Sequence, residues 1–344
     1  VKTHLVWFRN DLRVHDNTAL YNACLDEQVN VLSIFIATPK QWKKHCMSFK
    51  QSAFIYENLL MLKKEIQKIG IPLYFYKSTD FLSSAQYLIN FCKIKKVNSM
   101  FYNYQYEINE KNRDNYIITE LKKIHISTFG FHDNLLVEPN QIKNKNKTTY
   151  KVFSFFKNKI INKLQTDTIK LFSIPRPRIL LNRGNRIINF GYSYDSFNKS
   201  LFPVGENNAL NKLTSFIDNQ VNHYWEKRNF PALNYTSFLS VYLSVGVLSP
   251  RQCINSLLKN VSLKYMRNNI QSIWLNELIW REFYKHVLIG YPKICTYKSF
   301  FSWENHIKWN VNQKKWIAWI TGTTGYPMVG RCWNTTIKYI RMDE

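Results

Sequence analysis

The 344-residue sequence has no CxxC pair, and none of its six cysteines (Cys24, Cys46, Cys92, Cys253, Cys295, Cys332) has a histidine nearby at zinc spacing. That absence argues against a disulfide framework or a structural metal and points to a reducing compartment. No apolar run reaches the ~18 residues a membrane span needs. The first residues pass from VKTHLVWF straight into RNDLR, which is not the pattern of a secretory signal. The expectation is a cytoplasmic, soluble, monomeric protein with no membrane partner and no metal. Acidic residues are also scarce, 23 against 48 Lys and Arg, giving a formal charge of +25. Such an excess suits a polyanion such as nucleic acid. A genome biased towards A and T would yield the same mixture of Lys, Asn and Ile without selection for binding, so the charge permits that partner and does not identify it.

Glycine is missing where phosphate-cradling loops require it. The short apolar run His4–Phe8 is followed by Arg9-Asn10-Asp11-Leu12-Arg13, with neither GxGxxG nor a P-loop. This speaks against a conventional NAD enzyme or nucleotidase. Arg9, Asp11 and Arg13 read instead as an ion-pair lattice around the turn. There is no internal repeat.

What is present is a regular alternation. Strand-like runs at His4–Phe8, Val31–Ala37, Ile71–Tyr76, Ser99–Tyr104 and His125–Phe129 are separated by helical patterns at Asn17–Leu25, Gln51–Ile69, Ser84–Cys92 and Asn109–Lys123, with Gly70 placed to end the second. The expectation for 1–132 is an α/β domain built on a doubly wound, five-stranded parallel sheet. Ligands of such sheets sit at the carboxyl ends of the strands, here the loops after Phe8, Ala37 and Tyr104. From 133 to 200 the composition is that of an interdomain linker, with KNKNK at 143–147 and PRPRILLNRGNR at 175–186, apart from an aromatic island at Tyr150–Ile161 that reads as a helix. From 201 to 344 the pattern is all-helical, near 207–226, 236–244, 250–260, 267–288 and 311–320, with boundary signals at Gly246, Ser249-Pro250, Gly290 and Pro292. Eight of the ten tryptophans (Trp7, Trp225, Trp274, Trp280, Trp303, Trp309, Trp316, Trp319) suggest an aromatic-lined core or site, with packing the commoner explanation.

The stretch Gln271–His286, QSIWLNELIWREFYKH, is the one that demands an explanation. Apolar residues cover nearly the whole circumference of the helix it predicts, which marks a buried helix. Yet Glu277, Trp280, Arg281 and Tyr284 share one side, and buried charge is costly unless paired or used. Spacing alone leaves two readings open. One is a Glu277–Arg281 pair at i,i+4 with aromatic packing. The other is a pocket wall that stacks a flat ligand on Trp280 and hydrogen-bonds it through Glu277.

Seven stretches then occur in register: LVWFRNDLRVHDNTAL (5–20), FYNYQYEINEKNRD (101–114), YKVFSFFKN (150–158), RNFPALNYTSFLS (228–240), LSPRQC (248–253), WLNELIWREFYKH (274–286) and TGYPMV (324–329). Together they resemble the DNA photolyase/cryptochrome family, and within it the bacterial cyclobutane-dimer photolyases. The resemblance implies an N-terminal α/β antenna domain and a helical domain for FAD. It implies light-driven repair of pyrimidine dimers in damaged DNA, by an electron passed from excited reduced FAD to a flipped-out dimer. Carried over residue by residue, Tyr224 and Thr236-Ser237-Phe238-Leu239-Ser240 stand where the family holds the flavin, a helix start suited to a pyrophosphate. In isolation, Thr236 would read as an ordinary N-cap. Phe238 departs from the family, which usually has Arg there.

Glu277 and Trp280 match the residues that meet the dimer, Arg281 fits a phosphate or flavin contact, and Trp274 and Tyr284 belong to the same wall. Trp309 matches the outermost tryptophan of a flavin-photoreducing chain. For the antenna, Asn109 and Glu110 match the pair that hydrogen-bonds 5,10-methenyltetrahydrofolate, with His45 and Cys295 at its rim. Thr296 stands where folate-binding relatives tend to have Lys.

Beyond TGYPMV the resemblance stops, and 330–344 match nothing of the family's later flavin-embracing segments, as a truncation or frame change would leave it. Two other readings stay open: a cryptochrome-like photoreceptor without repair, and a basic nucleic-acid-binding remnant without flavin.

Overall fold

Thr3–Phe8 (β1) alternates strictly, with Leu5 and Trp7 in one apolar cluster and Val6 and Phe8 in another. Successive side chains of a strand point to opposite faces, so β1 is buried on both sides, as a central parallel strand must be. The computed structural model describes residues 1–167, 169–179, 184–190, 197–230, 232–259, 272–296 and 298–330. After β1 come Thr18–Ala23 (α1), Asn30–Ala37 (β2), Pro39–Lys44 (α2), Phe49–Lys68 (α3), Leu73–Lys77 (β3), Phe81–Ile94 (α4), Ser99–Asn103 (β4), Ile108–Lys123 (α5) and Ser127–Phe131 (β5). All four strand pairings are parallel, in the order β3-β2-β1-β4-β5. The expected doubly wound sheet is therefore present, with its order reversing at β1 and β4.

Local chemistry explains the boundaries. Ser48 accepts from the Gln51 amide to start α3, Asp80 and Ser83 form a capping box on α4, and Gly70, at φ +77°, follows the end of α3 as expected. The edge strand β3 is not left open. Asn185 donates to the Phe75 carbonyl (2.6 Å) and accepts from its amide (2.5 Å), so a side chain mimics a sixth strand.

Phe153–Thr166 (α6), Glu206–Asn219 (α7), Tyr224–Lys227 (α8), Ser240–Val245 (α9), Pro250–Leu258 (α10), Ser272–Gly290 (α11) and Gln313–Ile320 (α12) make up the second half. Ser249 and Gln252 form a capping box with Pro250 at the first turn of α10, and Gly246 closes α9 in the left-handed region. Those boundary signals were legible. Others were not. The helix expected over 236–244 begins only at Ser240, because Phe238 sits at φ +50°, its ring edge-on to Phe202. Residues 267–271 of the expected long helix, and the tail from 331, lie outside the described residues.

The stretch expected as linker is packed against the rest of the protein where it is described. α6 lies on α11, and Arg178 donates to the carbonyls of Cys24, Asp26 and Val29. Helix α3 is the wall common to both halves: it covers the sheet, while Phe54 meets Tyr242 edge-on at 5.5 Å and Asn58 accepts from the Gly205 amide. One apolar cluster consequently runs from β1 through α3 to α7, α10 and α11. The tryptophans divide: Trp7 and Trp274 are buried, whereas Trp225, Trp303, Trp309, Trp316 and Trp319 are exposed, so they do not jointly line a core. Among the described residues no helix is long and apolar enough to cross a membrane.

Candidate functional site

The reversal of strand order leaves a crevice at the carboxyl ends of β1 and β4, the place where doubly wound sheets bind ligands. A cleft of about 500 Å³ lies there. One wall comes from the loops after β1, β4 and β5: Asn10, Asp11, Asn103 to Glu107, Asp133 and Asn134. The other comes from Ser237 and Leu239, from Ser240, Leu243 and Ser244 on α9, and from Trp274, Glu277, Leu278, Arg281 and Lys285 on α11. The α11 residues recur at steps of three and four, one stripe of a helix whose remaining faces are largely packed.

The seam between the walls is an ion-pair lattice of the kind the turn after β1 suggested, but larger. Arg13 donates to Asp133 (2.6 Å) and to the Gly246 carbonyl (3.0 Å), and Arg251 donates to Asp133 (2.8 Å) and to Asp16 (3.1 Å). Burial by itself would raise the Asp133 carboxyl, but the fields of Arg13 and Arg251 prevail and hold it well below the usual carboxylate range. Asp11 is different. Burial pushes its carboxyl up, against the Arg9 amide (2.6 Å) and the Asn103 side chain (2.7 Å) that donate to it. Arg9 is held away from the cleft, ion-paired to Asp114 at 2.7 Å and resting on the Trp7 ring.

Of the residues proposed for flavin and dimer, Ser237, Leu239, Ser240, Trp274, Glu277 and Arg281 line this cleft. Tyr224, Thr236, Phe238, Trp280 and Tyr284 do not. Thr236 caps no helix, and the six-residue α9 offers little helix dipole to an anion, so any support there comes from serine hydroxyls and loop amides. The i,i+4 pair Glu277–Arg281 does not form. Glu277 accepts from Arg228, whose guanidinium also lies over Tyr224 at 5.5 Å, and Arg281 donates to the side chain and carbonyl of Asn134.

Trp280 is stacked on Phe153, with centroids 3.5 Å apart and rings 5° from parallel, and Tyr284 lies beyond at 5.6 Å. Trp309 is 79% exposed. Of the antenna residues, His45 meets Asn109 at 3.4 Å and Gln41 at 3.0 Å. Glu110 stands in the field of His45, and burial raises its carboxyl. Cys295 lies in a short turn at Pro292–Thr296, and among the described residues no hydrogen bond joins it to that group. The sequence reading missed Asn10, Asp11, Gln105, Tyr106, Asp133, Asn134 and Lys285. The loops after β1 and β4 are ligand positions in any doubly wound sheet, and Lys285 lies one turn beyond Arg281, so a signal exists for most of them.

A family model described as DNA photolyase matches residues 4–175, and one described as the FAD binding domain of DNA photolyase matches residues 274–333. Among similar proteins, the deoxyribodipyrimidine photo-lyase of Buchnera aphidicola from Acyrthosiphon pisum is 44% identical over 335 residues, covering 96% of this chain and 68% of that protein. The protein of the same name from Escherichia coli is 39% identical over 328 residues, covering 95% and 69%. Among solved structures, a bacterial class III photolyase from Agrobacterium tumefaciens has a TM-score of 0.79 at 23% identity, covering 96% of this chain and 67% of that one. A Synechocystis cryptochrome has a TM-score of 0.77 at 22% identity, covering 97% and 70%.

Proposed function

Because this chain belongs to the DNA photolyase family, we propose that it repairs cyclobutane pyrimidine dimers in DNA with light, using FAD held against the α11 stripe. The observation that carries this reading is that one helix presents an indole, a carboxylate and a guanidinium to a single cleft. The residues suit the cofactor. Trp274, Leu239, Leu243 and Leu278 offer an apolar wall for a flat ring, and the serines and Arg281 offer partners for an anionic tail. When bound and reduced, FAD supplies the light-excited electron that opens the cyclobutane ring and is afterwards recovered.

The chain's own residues do the rest. Glu277, fixed by Arg228, accepts a hydrogen bond from a pyrimidine edge. The Phe153–Trp280–Tyr284 stack gives an aromatic platform beside it, base–aromatic contacts being worth ~1–3 kcal/mol each. The +25 charge draws the DNA backbone and makes binding fall with salt. We assign 1–132 to an antenna domain, 133–200 to the connection and 201–344 to the flavin and DNA half. His45, Asn109, Glu110 and Cys295 are assigned to methenyltetrahydrofolate and Trp309 to the outer end of an electron relay, its exposure supporting that place.

The test is to irradiate the reduced, FAD-loaded chain with an oligonucleotide carrying one thymine dimer. Light-dependent loss of the dimer is expected; equal dimer content in light and dark refutes the reading. An action spectrum without a near-ultraviolet antenna band would remove the folate. One observation favours a second reading, a photoreceptor that binds flavin without repair: Phe153 already covers a face of Trp280. That reading predicts flavin photoreduction with no dimer splitting in the same assay.

A further inference from the structure

Behind the cleft, one buried carboxylate oxygen meets no donor among the described residues. Glu282 on α11 is fully buried, and its Oε1 accepts from the Leu136 and Val137 amides (2.9 and 3.1 Å). The same oxygen lies 3.2 Å from Nε2 of His286, one turn further along the helix. Its partner atom, Oε2, is the one left over. Keeping a carboxylate oxygen from water without a donor is costly, so a neighbouring donor that can turn towards it gains by doing so.

Tyr106, in the loop after β4, is such a neighbour. Glu282 is the charged group that acts on it most strongly, ahead of Asp133, Arg281 and Glu107, and Lys285 lies over its ring at 5.7 Å. Burial, reinforced by the Glu282 and Asp133 fields, pushes its phenol up, so the hydroxyl keeps its hydrogen. That hydroxyl is 3.0 Å from Nδ1 of His132, the residue after β5, and the two rings are 13° from parallel. His132 is half-buried, tilted on Tyr104 at 4.8 Å, and faced by Glu138, His286 and Glu282. Burial lowers its imidazolium from the usual range. A neutral His132 can take the phenol hydrogen on Nδ1. A charged one cannot, because both ring nitrogens then carry hydrogen and Nδ1 donates to the Tyr106 oxygen. The phenol hydrogen must then find another acceptor, and Oε2 of Glu282 is free to be it.

We propose that His132, Tyr106 and Glu282 form a proton-operated switch where the sheet loops meet α11. A single proton, taken up by His132 from solvent, turns the Tyr106 hydroxyl away from the imidazole and onto Glu282. Tyr106 lines the cleft, and Glu282 holds the loop that carries Asp133 and Asn134 into it, so acid resets one edge of the cleft. The switch needs no ligand, and it stands or falls separately from the flavin reading.

The experiment follows histidine and tyrosine ring signals of the full chain by NMR between about pH 5 and pH 8. It compares wild type with Tyr106→Phe and His132→Gln. In wild type the Tyr106 ring signal is expected to move with the same midpoint as His132, and in His132→Gln it no longer follows acid. The switched state has two hydrogen bonds to charged groups where the neutral state has one ordinary one. Tyr106→Phe should therefore lower the His132 midpoint, by about half a pH unit or more. A rise in that midpoint overturns the proposal, because Tyr106 is then only a donor to the neutral ring. An unmoved midpoint overturns it as well, and so does a Tyr106 signal that ignores the His132 titration or a His132 that stays neutral throughout. Unchanged far-ultraviolet circular dichroism shows that each variant folds; if one does not, the two wild-type midpoints decide alone, and unequal values sink the switch.

Discussion

Glu277 is the side chain on which the proposed chemistry turns, and its setting predicts how a substitution will behave. Its pairing with Arg228 is partly exposed, at 34% and 41% of the two side chains. Pairs of that kind contribute roughly 0–1 kcal/mol to stability. Glu277→Ala should therefore leave the melting temperature almost unchanged. It should lower the yield of dimers repaired per photon more than the affinity for damaged DNA. Equal losses of affinity and yield would show that Glu277 holds the DNA and does not assist the photochemistry. The Glu277–Arg228 partnership could not be read from spacing, because Arg228 lies 49 positions away in a loop. The i,i+4 neighbour Arg281 was the nearer candidate on the helix, and tertiary structure gave each of them a different partner.

At the scale of elements, the junction of α9 with the loop after β1 is a tight fit. Gly246 stands at φ +70°, and a Cβ there would lie 2.0 Å from the Asn10 carbonyl oxygen. Gly246→Ala should destabilise the fold by about 3 kcal/mol or more in urea unfolding, and weaken flavin retention, since Asn10 lines the cleft. The lattice beside it makes a pH prediction. Asp133 has its folded pKa depressed, so its contribution is present above the unfolded value, about pH 4, and is lost as pH falls through the folded one. Asp133→Asn should cost about 3–5 kcal/mol at neutral pH, and the gap to wild type should narrow below about pH 4.

Much of this scale was legible. The five strands, Gly70 after α3 and the Ser249-Pro250 start of α10 follow from periodicity and capping, which are local properties. The run Thr236–Leu239 has a helical pattern but is not helix, because what bends it, Phe238 packing on Phe202 with Lys212 5.7 Å from its ring, depends on residues far along the chain. The cleft was half legible for the same reason. Strand order told where a ligand could sit, but not that Asp133 and Asn134 would close the far wall.

For the molecule as a whole, the decisive feature is that α3 packs on both halves at once. Its inner face closes the sheet, and Phe54 and Asn58 are spent on Tyr242 and on the amide of Gly205. The boundary expected at residue 132 therefore crosses one continuous apolar cluster. A fragment ending at residue 132 would carry an oily helix with half its companions gone. It should come out of cells in inclusion bodies, or light up a hydrophobic dye if kept dissolved, while the full chain should melt in a single step. The sheet half cannot be borrowed on its own: whoever wishes to graft residues 1–132 onto another protein must take the neighbour's helices along.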